Sequence, residues 1–141
     1  MGGSARLADT ADMESVTTHG NKVFLVEDSP AIRMRLATML GKIEGVTIAG
    51  EAQTSHAAIE GILRTRPDSV ILDIHLIGGS GIEVLRKIRP LEPGIVFIVL
   101  TNDSDPHYRK VCMQAGANYF LDKSNEFEKV RSLVENLGPA H

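Results

Sequence analysis

Short apolar runs alternate along this chain with longer amphipathic segments. Five runs rich in Val, Ile, Leu, Phe or Ala cover residues 22–27, 46–52, 69–73, 95–100 and 118–121. Runs of this length are typical of strands buried on both faces of a parallel sheet. The segments that follow them carry apolar residues at helical spacing and predict five helices. Strict alternation of strand and helix predicts a doubly wound α/β domain, with helices on both faces of the sheet.

Polar residues at the predicted helix starts can cap them. Ser29 precedes Pro30, which suits a first helical position because that position needs no amide donor. Thr54 or Ser55 can cap the second helix, and Ser80 the third. The loop around Ser80 is glycine-rich but lacks the Gly-Lys-Ser/Thr of a phosphate-binding P-loop, so it is expected to be a tight turn into a helix.

The last predicted helix has the clearest amphipathic stripe. It carries Phe127, Val130, Val134 and Leu137 and ends at Gly138. At its start, Asn125 and Glu128 are expected to form a variant of the capping box.

Composition narrows the class of protein. A chain of 141 residues with 43% hydrophobic and 23% charged residues fits one globular domain. Its net charge of −3 argues against a nucleic-acid binder. The lone Cys112 excludes an internal disulfide and fits a cytoplasmic protein, and no apolar stretch is long enough to insert into a membrane. Residues 1–21 are predicted to be a disordered leader.

Four of the apolar runs end next to residues that can take part in phosphoryl chemistry. Glu27 and Asp28 follow the first run, Asp73 the third, Thr101 the fourth and Lys123 the fifth. Because ligands of parallel sheets bind at the carboxyl ends of the strands, we expect these side chains to share one crevice. Three carboxylates at close range need a cation, or one of them takes up a proton. A hard divalent ion, Mg²⁺ or Mn²⁺, suits such oxygen ligands.

The order and spacing of these residues resemble the receiver domain of bacterial response regulators, over about residues 22–137. The matching positions include Gly81, eight residues after Asp73, and Phe120, three before Lys123. The resemblance implies a single (βα)5 domain of flavodoxin-like fold with strand order 2-1-3-4-5. The expected organisation is a leader over residues 1–21, a receiver domain over 22–138 and a tail over 139–141.

What the resemblance implies about function is phosphoryl transfer onto Asp73 from a histidine kinase or a histidine phosphotransfer protein. Asp28 and Asp73 would bind Mg²⁺ directly together with the backbone carbonyl of His75, while Glu27 would act through water. Lys123 and Thr101 would contact the phosphoryl group. The same threonine and Phe120 would then switch a partner-binding surface around the fourth and fifth helices.

Several positions depart from the family pattern or sit at its variable rim. Ser124 follows Lys123 where most receivers have proline, so this peptide bond is either trans, or cis and strained. Ile77 replaces a frequent proline four residues after the phosphoacceptor. Asn102 stands where many receivers have a smaller residue at the entry to the site, so the resemblance implies slower access by small donors. His75 and Asp103 occupy rim positions that tune hydrolysis in the family.

The same residues allow other interpretations. Asp73 could merely cap a loop, Thr101 could bond its own backbone, and Lys123 could be a surface lysine. The domain could be a phosphorylation-independent interaction module. A phosphatase of the haloacid dehalogenase type would need an aspartate at His75.

The expected role is a stand-alone signalling domain. It is expected not to be an enzyme beyond catalysing the phosphorylation and dephosphorylation of its own Asp73. It would act without direct nucleic-acid binding and have an unknown downstream protein target. Phosphorylation-dependent homodimerisation is left open.

Overall fold

The computed structural model describes residues 20–103 and 105–137, so most of the predicted leader and the predicted tail lie outside the described residues. Five parallel strands form one sheet in the order β2-β1-β3-β4-β5, which confirms the predicted topology. The strands are β1 Asn21–Val26, β2 Val46–Ala52, β3 Ser69–Leu72, β4 Val96–Thr101 and β5 Tyr119–Asp122. The helices of the described residues are α1 Pro30–Gly41, α2 Ser55–Thr65, α3 Gly81–Ile88, α4 Pro106–Gln114 and α5 Lys129–Glu135.

Helices cover both faces of the sheet because successive strand residues point to opposite sides. In β1, Phe24 and Val26 join a cluster with α2, α3 and α4, while Val23 and Leu25 join a second cluster with α1 and α5. Each large apolar side chain buried in this way contributes about 1.5–3 kcal/mol. The two clusters therefore fix the sheet between two helical layers and bring the carboxyl ends of all five strands to one edge.

Polar caps begin the first four helices. Ser29, Thr54, Ser80 and Asp105 accept backbone N–H groups of Ile32, Ala57, Ile82 and His107 at 3.3, 3.1, 3.1 and 2.7 Å. The capping predictions for Ser29 and Ser80 are confirmed, and Thr54 rather than Ser55 caps α2. Each such cap contributes about 1 kcal/mol to its helix.

The start of α5 differs from the prediction. Glu128 makes no capping hydrogen bond with its side chain, and the Asn125 amide donates to Asp122 Oδ2 at 3.3 Å instead. The expected capping box is wrong because Asp122 organises this turn from the end of β5. Phe127 is buried as predicted but lies in the turn before α5, so the helix begins two residues after the start of the predicted apolar stripe.

Cys112 is fully buried on α4, and burial raises the pKa of its thiol to about 11. A thiol with so high a pKa is not a nucleophile at neutral pH, which agrees with a packing role. Within residues 20–103 and 105–137, no helix has the length and apolar character needed to cross a membrane.

Candidate functional site

Three carboxylates meet at the carboxyl edge of β1 and β3. The strand register pairs Val26 with Leu72, and the Asp73 N–H donates to the Val26 carbonyl at 3.0 Å. The next residues of the two strands therefore leave the sheet side by side. Glu27, Asp28 and Asp73 each offer an oxygen, and these oxygens lie within 4.8 Å of one another. The prediction that these three side chains lie close together is confirmed.

Lys123 reaches the cluster from the turn after β5. Its Nζ lies 2.8 Å from Glu27 Oε1 and 2.8 Å from Asp73 Oδ2, and all three side chains are buried. Charge-assisted hydrogen bonds of this length are among the stronger polar contacts in proteins. The buried position excludes the alternative in which Lys123 is an ordinary surface lysine.

Burial and charge shift the proton affinities of this cluster. Burial raises the pKa of Glu27, although hydrogen bonds from Lys123 and from the Ser29 N–H act in the opposite direction. Burial by itself would lower the pKa of Lys123, but hydrogen bonds to Asp73 and Glu27 outweigh it and raise that pKa. The lysine is therefore an ammonium at neutral pH and offsets part of the carboxylate repulsion.

The turn that carries Lys123 is held by Asp122. The peptide bond to Ser124 is trans, since the described residues contain no cis peptide. Asp122 Oδ1 accepts the Ser124 N–H at 2.8 Å, which forms an Asx turn, and Glu126 Oε1 accepts the Asp122 N–H at 3.0 Å. Sequence reasoning missed Asp122, although an aspartate two residues before Ser124 is a readable Asx-turn signal.

Thr101 ends β4 fully buried beside this turn. Its Oγ1 accepts the Asp103 N–H at 3.2 Å, so the alternative of bonding its own backbone is realised. A hydroxyl that accepts one bond still has its proton to donate. The Thr101 carbonyl also accepts the Lys123 N–H at 2.9 Å, which links the two residues directly.

The rim of the crevice contains exposed polar side chains. His75 Nε2 lies 3.1 Å from Asp103 Oδ2, and the histidine ring meets Tyr108 edge-on with centroids 5.5 Å apart. The pair bridges the loops that follow β3 and β4. Asn102 and Ile77 are exposed nearby in the same two loops.

Gly81 packs directly against the backbone of Asp73. A Cβ at position 81 would overlap the Asp73 carbonyl oxygen, and the Gly81 N–H donates to the Ile74 carbonyl at 2.8 Å. The first residue of α3 therefore has to be glycine for Asp73 to keep its place. This contact explains the glycine eight residues after Asp73.

Phe120 lies buried on β5, with the Arg109 guanidinium 5.6 Å from its ring centroid. Arg109 Nη1 also donates to the Phe120 carbonyl at 3.3 Å, so α4 is attached to β5 at this residue. The switch role of Phe120 stays a prediction.

A family model for the response regulator receiver domain matches residues 23–135, most of the chain. The chain belongs to this family. It is therefore a receiver domain of two-component response regulators, a family in which phosphorylation and dependence on Mg²⁺ are general features.

Curated relatives agree with this membership, and a solved structure shows the same fold. The transcriptional regulatory protein YesN of Bacillus subtilis (strain 168) is 34% identical over 119 residues, which are 81% of this chain and 32% of YesN. The Fimbriae Z protein of Salmonella typhimurium (strain LT2) is 32% identical over 114 residues, covering 80% of this chain and 54% of that protein. A DNA-binding response regulator of the LuxR family from Staphylococcus aureus has the same fold. Its TM-score is 0.75 at 24% identity, over 82% of this chain and 99% of that chain.

The receiver domain spans about a third to a half of the length of the curated relatives it matches.

The acid cluster suits a hard divalent cation. Its three ligand groups are all carboxylates, the donor type that Mg²⁺ prefers, and Asp28 is only partly buried. The side chain of His75 is turned to Asp103 at the rim, so the described residues offer an all-oxygen site.

Proposed function

We propose that this domain accepts a phosphoryl group on Asp73 from a histidine kinase or a histidine phosphotransfer protein. The observation that carries the proposal is the position of the Asp73 carboxylate. Its Oδ2 lies 2.8 Å from the Lys123 Nζ, which also contacts Glu27, and one of its oxygens lies within 4.8 Å of an oxygen of Glu27 and one of Asp28. Phosphoryl transfer depends mainly on such alignment and charge neutralisation.

The proposed reaction uses a carboxylate as the nucleophile. An Asp73 oxygen attacks phosphorus, the bond from phosphorus to the donor's histidine nitrogen breaks, and an acyl phosphate forms. Water later cleaves the acyl phosphate, which returns the carboxylate and releases inorganic phosphate.

A divalent ion would be held by Asp28, Asp73 and the backbone carbonyl of His75, with Glu27 acting through water. When bound, Mg²⁺ supplies positive charge that neutralises phosphoryl oxygens. Lys123 would also contact those oxygens, because its Nζ already hydrogen-bonds to Asp73 Oδ2.

Two further residues would change position when Asp73 is phosphorylated. Thr101 has a hydroxyl proton to donate to a phosphoryl oxygen, and Phe120 lies one strand away on β5, paired in register with Val99 of β4. A shift of both residues would change the surface formed by α4, β5 and α5. The output would then be altered binding of a protein target, with homodimerisation as one form of it.

Two other functions have less support. A phosphorylation-independent module has no need for a buried lysine between two carboxylates, yet Lys123 holds that position. A phosphatase of the haloacid dehalogenase type needs an acid/base aspartate where this chain has His75, and that side chain faces the rim.

The proposal is tested by incubating the domain with Mg²⁺ and acetyl phosphate and measuring its intact mass. We expect one added phosphoryl group on the wild type and none on Asp73→Asn. Asp105→Asn is a matched control, because Asp105 is an exposed helix cap near the same edge and asparagine also caps helices. Equal labelling of wild type and Asp73→Asn would overturn the assignment.

A further inference from the structure

Arg33 attaches α1 to the ends of two strands next to the acid cluster. Its Nη1 donates to the Glu27 backbone carbonyl at 2.7 Å, and its Nε lies 3.2 Å from Glu51 Oε1 on the edge strand β2. The side chain is only 14% exposed, although it carries a full charge. One planar guanidinium thus bridges α1, β2 and the residue that follows β1, a task suited to its fork of donors.

The carbonyl that Arg33 holds belongs to the peptide between Glu27 and Asp28. Since a peptide unit is planar, fixing this oxygen fixes the direction in which the chain continues to Asp28. The rest of Glu27 is held separately. Its N–H donates to the Ala52 carbonyl at 3.0 Å, and its carboxylate oxygens contact Lys123 and the Ser29 N–H.

We propose that Arg33 is a positioning residue for the divalent-cation site. By holding the Glu27–Asp28 peptide against α1 and β2, it orients the Asp28 carboxylate toward Asp73. The inference rests on the proposed function, in which Asp28 and Asp73 bind the ion together. Outer contacts that orient ligands in this way commonly change metal affinity by about 10- to 100-fold when they are removed.

The sign of the change in Mg²⁺ affinity on substitution of Arg33 distinguishes a positioning role from a purely electrostatic one. A cation beside a divalent-ion site repels the ion, so loss of the Arg33 charge alone would tighten Mg²⁺ binding. Loss of the carbonyl hydrogen bond frees the peptide and would weaken binding. Lysine keeps the charge but has no planar fork with which to reach the carbonyl and Glu51 together. Electrostatics therefore predicts tighter binding for Arg33→Gln and no change for Arg33→Lys, whereas positioning predicts weaker binding for both.

The experiment measures Mg²⁺ affinity by isothermal titration calorimetry, with urea unfolding in the absence of Mg²⁺ as a check of the fold. We expect Arg33→Gln to weaken Mg²⁺ binding by about tenfold and Arg33→Lys to weaken it by a smaller factor. Arg35→Gln is the matched control. Arg35 lies on the same helix but is 56% exposed, and its guanidinium contacts Glu128 and the Phe127 ring. We expect wild-type affinity for this variant.

The outcomes are distinct. A wild type that neither binds Mg²⁺ nor accepts a phosphoryl group would overturn the proposed function and, with it, this inference. A wild type that does both, together with Arg33 variants that bind Mg²⁺ as tightly or more tightly, would overturn the positioning role alone. If Arg33→Gln fails to fold, Arg33→Lys decides, since unchanged affinity there also contradicts positioning.

Discussion

Asp73 in the acid cluster and His75 at the rim lie only two residues apart along the chain, yet the two parts of the site differ in burial and in contacts. The side chain of Lys123 is 7% exposed and bridges two buried carboxylates, whereas that of His75 is 58% exposed and has one partly exposed carboxylate partner. Buried, paired charges are costly to disturb, while exposed pairs contribute about 0–1 kcal/mol. The proposed chemistry is therefore placed in the rigid part of the site, and the rim is the part that can change without loss of the fold.

The largest effect on stability is expected from Lys123→Met. This change leaves Glu27 and Asp73 buried without their shared cation, so we expect a loss of about 4 kcal/mol in the free energy of unfolding at pH 7. Urea unfolding measures the loss. If the free energy of unfolding stays the same within error, the buried ion pairs of Lys123 do not stabilise this part of the site.

The stability difference between the wild type and Lys123→Met is expected to depend on pH. Burial already raises the pKa of Glu27 above its ordinary value of 4.5, and removal of Lys123 takes away hydrogen-bonding and coulombic contributions that lower it. In Lys123→Met, Glu27 therefore takes up a proton at a higher pH than in the wild type, and its neutral form costs less to bury. We expect the stability gap between wild type and variant to shrink as the pH falls from 7 toward 5. A gap that widens over this range would contradict the assigned cause.

The next largest effect is expected from Gly81→Ala. The new Cβ overlaps the Asp73 carbonyl oxygen, so the backbone under the nucleophile has to shift, at a cost of about 3 kcal/mol. Gly41→Ala is the matched control, since a Cβ there meets no atom within 4 Å beyond its chain neighbours and its own helix, so we expect a change in stability below about 0.5 kcal/mol. Thermal unfolding of both variants measures the contrast, and equal stability would remove the reason given for glycine at position 81.

A smaller effect is expected from Asp122→Ala, which removes the Asx turn behind Lys123. The Ser124 N–H and the Asn125 amide lose their acceptor, so we expect a loss of about 1–2 kcal/mol. Asp122→Asn keeps one acceptor oxygen and should retain most of the stability. If alanine and asparagine cost the same, the charge of Asp122 and not its turn geometry is what matters.

The smallest effect on stability is expected at the rim. A double-mutant cycle on His75→Ala and Asp103→Ala should give a coupling energy below about 1 kcal/mol, because the pair is exposed. We expect the rate at which the phosphorylated domain loses its phosphoryl group to change clearly in these variants while the free energy of unfolding changes little, since the pair bridges the two loops at the crevice. A large coupling energy with an unchanged dephosphorylation rate would contradict this, because the rim pair would then contribute to stability and not to the chemistry.

The sequence predicted the parts of this molecule that depend on local pattern. The apolar runs located each strand to within one residue, and the polar residues after them identified the acid cluster and Lys123. The start of α5 could not be read from capping preferences, because Asp122 competes for the same backbone groups from the end of a strand.

Arg33 was missed for a different reason. Its role depends on the distance from a helix to the ends of β1 and β2, and nothing in its local sequence encodes that distance. The contact between His75 and Asp103 likewise exists only because β3 and β4 are neighbours.

Asp73 is proposed to be the phosphorylated residue, and mapping the modified side chain decides whether it is. The domain is phosphorylated with acetyl phosphate and Mg²⁺, reduced with borohydride, which converts an aspartyl phosphate to homoserine, and analysed by tandem mass spectrometry of its peptides. We predict homoserine at position 73 and unmodified aspartate at positions 28 and 103. Homoserine at position 28 or 103, or no homoserine at all, would contradict the assignment of Asp73.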